Sequence, residues 1–101
     1  MKECCAAYMN EQFGDADLVK EIYDEYVSSM DAKLKEAEAA LSGGEWTQLD
    51  RVAHTIKGNA LAAGDGEMAE TAIQLRSSAQ LNDRGQSAAL IARLADLRKQ
   101  L

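Results

Sequence analysis

Residues 49–64 read LDRVAHTIKGNALAAG. On a helix that turns by about 100° per residue, this stretch collects its core-facing side chains in a stripe roughly 100° wide. The members of the stripe are Leu49, Val52, Ala53, Ile56 and Ala60. A stripe of this width is typical of a helix that packs on a core. His54 points about 140° away from the centre of the stripe, so this helix is predicted to present an imidazole to solvent.

The neighbours of His54 on the outward face are unusual for a helix interior. Gly58 follows His54 by one turn and Leu61 by a second, while Lys57 stands on the flank. Glycine inside a helix costs roughly 1 kcal/mol relative to alanine, so Gly58 indicates that something approaches His54 closely. The alternative is that His54 is an ordinary surface residue and that Gly58 has no role.

The rest of the chain also has helical patterning. Its 101 residues include no proline, and 47% of them are apolar, enough for one core. The expected helices are 2–12, a long helix capped by Asp15 and ended by Ser42-Gly43-Gly44, 45–63, 67–81, and a last helix that carries Leu90, Ile91, Leu94, Leu97 and Leu101. The expected core residues of the long helix are Leu18, Ile22, Tyr26, Met30, Leu34, Ala37 and Leu41.

The connections between these helices are short, with Gly64-Asp65-Gly66 and Asn82-Asp83 as two of the breaks. Short connections make successive helices antiparallel neighbours. We therefore expect an all-α fold, an antiparallel four-helix bundle with a short additional N-terminal helix, as a single domain over residues 1–101.

The segment around His54 resembles the signature of histidine-phosphotransfer (HPt) domains. In that signature a histidine is followed by lysine at the third position, glycine at the fourth and a second glycine at the tenth, here His54, Lys57, Gly58 and Gly64. The resemblance extends to Gln12-Phe13-Gly14-Asp15 before the long helix and to the helical pair after Gly64, so it covers nearly the whole chain.

The resemblance implies a phosphorelay function. His54 would accept a phosphoryl group from the aspartyl phosphate of a response-regulator receiver domain and pass it to another receiver, with Lys57 neutralising the charge of the phosphoryl oxygens. A hybrid sensor histidine kinase is a further candidate partner. The chain has no phosphate-cradling loop and no acidic cluster for a metal, so we expect no kinase activity, cofactor or metal of its own, and Mg²⁺ on the receiver.

The partner is expected to contact the surface around His54, at Arg51, Gly58, Leu61, Arg76 and Gln80. One of these positions departs from the family. HPt domains usually carry Glu or Gln after a leucine on the following helix, where this chain has Leu75-Arg76. Arginine cannot accept a hydrogen bond from an imidazole N–H, although it can bind a phosphoryl oxygen. Gln80, one turn later, can both donate and accept. Alternatively, both residues belong to a solvated helix face.

Two other classes of function stay open at this point. A helical adaptor could bind a receiver or another protein without accepting phosphate, and Arg76 is the feature that favours it. An enzyme could use His54 as a general base, but that role needs a pocket and an orienting carboxylate, and the outward position of His54 argues against it.

Composition narrows the expected partners and location. The net charge is −6, with 11 basic and 17 acidic residues, which argues against nucleic-acid binding and fits either a solubilising surface or a basic-rimmed protein partner. The sequence shows no apolar run that could span a membrane and no signal peptide. Cys4 and Cys5 are adjacent and unsuited to an intrachain disulfide. We therefore expect a monomeric cytoplasmic protein.

Overall fold

A computed structural model describes all 101 residues and contains five helices and no strand. The helices are α1 (Glu3–Phe13), α2 (Ala16–Ser42), α3 (Trp46–Ala63), α4 (Gly66–Gln80) and α5 (Arg84–Arg98). The predicted all-α fold is confirmed, and the ends of the first four helices lie within about two residues of the expected ones. The last helix ends at Arg98, so Leu101, which was expected on it, lies beyond the helix and packs partly buried against the core.

The four long helices form the bundle. α2 packs on α3 and α5, and α4 packs on α3 and α5, while α1 lies against α2 and the neighbouring part of α3. The molecule measures 42 × 20 × 19 Å. None of the five helices is both long and apolar enough to cross a membrane.

Aspartates begin three of the helices. Asp15 accepts hydrogen bonds from the backbone N–H groups of Asp17 and Leu18, and Asp83 accepts one from that of Gln86. Asp65 does the same for Met68 at the start of α4. Each carboxylate satisfies backbone donors that have no partner within the first turn of a helix, and its charge is favourable there.

The core confirms the predicted stripe of α3 and corrects that of α2. All five predicted core residues of α3 are buried. Four of the seven residues predicted for the core in α2 are buried: Tyr26, Met30, Leu34 and Ala37. Ile22 and Leu41 are partly buried against the core, but Leu18 is 41% exposed, and Val19 is in the core instead. Residues spaced four apart are offset from one another by about 40° around a helix. Two such steps put Leu18 about 80° from Tyr26, while Val19, seven residues before Tyr26, lies only about 20° from it.

A buried carboxylate joins three helices at one end of the bundle. Asp65 is fully buried and accepts hydrogen bonds from Lys2 Nζ at 2.7 Å and from Tyr26 Oη at 2.9 Å, in addition to its helix-capping bond. Burial opposes the charge of Lys2, but the hydrogen bond and the charge of Asp65 prevail and raise the pKa of Lys2. Burial and Asp65 also raise the pKa of Tyr26, so its hydroxyl stays protonated and donates.

The two cysteines differ in environment. Cys4 is exposed and Cys5 is buried, and both are free thiols. Burial, together with the charge of Asp65, raises the pKa of Cys5 from 9.0 to about 12. Because the thiolate is the reactive form, Cys5 is an unreactive core residue at neutral pH.

We expect Asp65→Ala to lower the free energy of unfolding by roughly 3 kcal/mol, because it leaves the buried Tyr26 hydroxyl and the partly buried Lys2 ammonium without their acceptor. Asp15→Ala is the matched control, since it removes the same side chain from an exposed helix start and should cost about 1 kcal/mol. Urea denaturation of both variants measures the difference. Equal losses would mean that Asp65 acts as a helix cap only.

Candidate functional site

His54 lies near the middle of α3 and is exposed, as predicted. Its neighbours Ala53 and Ile56 are fully buried in the core. The backbone that carries the imidazole is therefore fixed by packing on both sides, while the ring itself faces outward.

One side of the imidazole contacts α4. An Nη atom of Arg76 lies 3.1 Å from Nδ1 of His54, and Nε of the same guanidinium donates to Oδ1 of Asp50 at 2.9 Å. Gln80 donates to the same oxygen at 3.3 Å and forms no hydrogen bond with His54. The ring's other nitrogen, Nε2, forms no hydrogen bond within the protein and is the one open to an incoming group.

Asp50 is the site residue that the sequence analysis missed. It precedes His54 by one turn on α3, and this spacing was the available signal, since residues four apart share a helix face. Its importance comes from α4, because Arg76 and Gln80 both bind its carboxylate.

A shallow depression of about 380 Å³ surrounds the ring and is lined only by polar residues. These are Asp50, Arg51, His54, Thr55 and Arg76. Two arginines and one aspartate are among the lining residues, so the depression carries one excess positive charge although the whole chain has a net charge of −6. Such a surface attracts an anionic group.

Lys57 lies outside this lining. It is half-exposed and takes part in none of the ion pairs of the molecule, so its ammonium is not committed to a carboxylate. The structure therefore places Arg51 and Arg76 at the depression and leaves Lys57 as an uncommitted cation on the flank of His54.

Four residues of α3 form an exposed strip, which we call the α3 face: Arg51, His54, Gly58 and Leu61. Their spacing puts them within about 80° of one another around the helix. A Cβ atom at Gly58 would meet nothing within 4 Å, and Leu61 is 53% exposed. The α3 face thus has open space beside the imidazole and an apolar side chain one turn beyond that space.

The second glycine of the motif has a different role. Gly64 ends α3 with φ at 73°, a left-handed conformation that favours glycine. A Cβ atom there would overlap the Cβ of Tyr8 on α1. Gly64 therefore allows α1 to pack closely over the end of α3.

Fold and site together define a helical bundle that presents one histidine beside cations. The family model of the Hpt domain matches residues 21–101, and the chain belongs to this family. Hpt domains carry out histidine phosphotransfer in two-component phosphorelays and typically interact with receiver domains. No curated protein and no solved structure matches the chain.

The two glycines should respond oppositely to alanine. Gly58→Ala should raise the free energy of unfolding by up to about 1 kcal/mol, because the new methyl group meets open space and alanine is the better helix former. Gly64→Ala should lower it by roughly 2 kcal/mol, because of the left-handed backbone and the contact with Tyr8. Thermal and urea unfolding measure both changes. A Gly58→Ala variant that is less stable than the wild type would contradict the finding that the space beside Gly58 is open.

Proposed function

We propose that this protein accepts a phosphoryl group on His54 from the aspartyl phosphate of a receiver domain and passes it to another receiver. The observation that carries the proposal is the outward imidazole of an Hpt-family chain, with Nε2 free of protein partners at the edge of a cationic depression.

In this reaction the chain supplies the imidazole nucleophile and the cations around it. The lone pair of Nε2 attacks phosphorus, the P–O bond to the receiver aspartate breaks, and its electron pair stays on the carboxylate. Transfer of this kind depends on positioning and on neutralising the phosphoryl oxygens. Arg51 and Lys57 are the cations available for that neutralisation, because neither forms an ion pair, whereas the guanidinium of Arg76 is bound to Asp50.

The receiver supplies the other half of the site in this proposal. It brings the aspartate and the Mg²⁺ that activates the phosphoryl group, so no cofactor is needed on this chain. The α3 face docks against it, with Arg51 at one end, Leu61 at the other and the open space at Gly58 between them. Arg76 and Gln80 on α4 border the same contact. In this role the protein acts as a monomer in the cytoplasm, and a hybrid sensor histidine kinase is one source of the receiver.

A second candidate is an adaptor that binds a receiver without accepting phosphate. Arg76 is the observation that favours it, because a donor-only side chain contacts Nδ1 of His54. The two candidates differ in one measurable step, the formation of a phosphohistidine.

Incubation with a panel of phosphorylated receivers should label the protein with an acid-labile, base-stable phosphoryl group. His54→Gln should abolish the label and leave the melting temperature nearly unchanged, because an exposed side chain makes few packing contacts. Binding without label across the panel would support the adaptor. Label that persists in the variant would place the acceptor elsewhere.

Lys57→Ala should slow transfer by roughly 10-fold or more, with a smaller effect on receiver affinity, because its uncommitted ammonium is proposed to act on the phosphoryl group. Lys99→Ala is the control, since it removes the same charge from the end of α5, which packs on α2 and α4. Single-turnover transfer and receiver titration separate the two effects. Equal transfer rates in the two variants would remove Lys57 from the site.

A further inference from the structure

The guanidinium of Arg76 is held at two points. Its Nε donates to Asp50 at 2.9 Å, and an Nη atom lies 3.1 Å from Nδ1 of His54. The Arg76 and Asp50 side chains are only 31% and 28% exposed. A planar guanidinium fixed at Nε by a carboxylate keeps its remaining donors in a defined direction, here toward the imidazole.

This contact determines which ring nitrogen carries the proton. Arginine has donors only, so Nδ1 must accept with its lone pair. A neutral imidazole has one N–H, which is then on Nε2. Nε2 is also the nitrogen that faces solvent, and with a proton attached it has no lone pair in the ring plane to attack phosphorus. The resting geometry therefore holds His54 in the tautomer that cannot react.

We propose that Arg76 is a positioning residue that holds His54 in the unreactive tautomer, so that phosphoryl transfer requires Arg76 to release Nδ1. This inference rests on the proposed function for its consequence, although the tautomer itself exists without any phosphate. On release, Nε2 loses its proton to water and Nδ1 takes one from water. Nε2 then attacks phosphorus, the P–O bond to the receiver aspartate breaks, and the carboxylate keeps the electron pair.

The same contact acts on the phosphorylated protein. After transfer, Nδ1 gives its proton to water and Arg76 can donate to it again. When the phosphoryl group leaves, Nε2 keeps the electron pair of the N–P bond, and the ring departs as neutral imidazole only if Nδ1 is protonated. Because Arg76 favours the unprotonated Nδ1, it lengthens the lifetime of the phosphohistidine. Replacement of Arg76 by a residue that accepts a hydrogen bond from Nδ1 should remove both the restraint on the tautomer and the longer lifetime of the phosphohistidine.

The tautomer can be read directly because the chain has one histidine. We would record ¹⁵N NMR spectra of the imidazole over a pH series and read the neutral ring from the high-pH plateau, for the wild type and for Arg76→Gln. The wild type should be almost entirely the Nε2–H tautomer, and Arg76→Gln should shift the population toward Nδ1–H, since the amide oxygen can accept. Arg51→Gln removes the same charge from the depression without touching the ring and should keep the wild-type tautomer.

The lifetime of the phosphohistidine is measured without a receiver. The protein is phosphorylated chemically with phosphoramidate, and the decay of its phosphohistidine signal is followed by ³¹P NMR. Arg76→Gln should lose the phosphoryl group roughly 10-fold faster than the wild type, the factor expected for one hydrogen bond to a charged donor. Arg76→Met, which has no donor and only a weak acceptor in its sulfur, should lie between them. Thermal melting of each variant shows that it is folded.

Receiver-dependent transfer to and from Arg76→Gln should also be faster than in the wild type. An unchanged tautomer in Arg76→Gln, or an Nδ1–H majority in the wild type, would overturn the inference. So would a longer phosphohistidine lifetime or slower transfer in this variant, which would make Arg76 a phosphoryl-binding cation instead. If receivers label no variant at all, the proposed function fails, and the tautomer and lifetime measurements still decide the role of Arg76.

Discussion

The buried carboxylate of Asp65 is the interaction on which the arrangement of the helices depends. A charge can be buried only where its lone pairs are satisfied, and here the partners come from Lys2 before α1, from Tyr26 on α2 and from the first turn of α4. These three hydrogen bonds fix the relative positions of the elements that meet at the α3–α4 turn. They hold the start of α4 against α1 and α2 just beyond the end of α3, while the outward position of His54 comes from the buried stripe of α3 itself.

The turn that holds Asp65 also explains where α1 packs. Gly64 directly precedes Asp65, and its missing side chain makes room for Tyr8. Tyr8 and Phe13 remain 37% and 43% exposed, so α1 adds apolar surface beside the end of α3. The two glycines of the motif thus serve different contacts. Gly58 faces open solvent, and Gly64 faces a helix of the same chain.

The charges around His54 show how a local field can differ from the net charge. The chain is acidic overall, yet the depression at the imidazole has two arginines against one aspartate. Asp50 cancels one of the two positive charges and leaves the other. It binds Nε of Arg76 and so directs the guanidinium toward the ring. On its own, the Asp50 carboxylate would weaken the attraction for an anion. Here it also sets the position of the Arg76 guanidinium.

The sequence by itself determined the helices, the buried face of α3 and the exposure of His54, because these depend on periodicity and capping within single helices. It was wrong about Leu18, because apolar residues occur on two adjacent faces at the start of α2 and only packing selects between them. It predicted Arg76 near the imidazole but not its contact with Nδ1 or the part played by Asp50. Those contacts depend on the register of α4 against α3, and helical periodicity carries no information about how far one helix slides along another. Only the tertiary structure decided them.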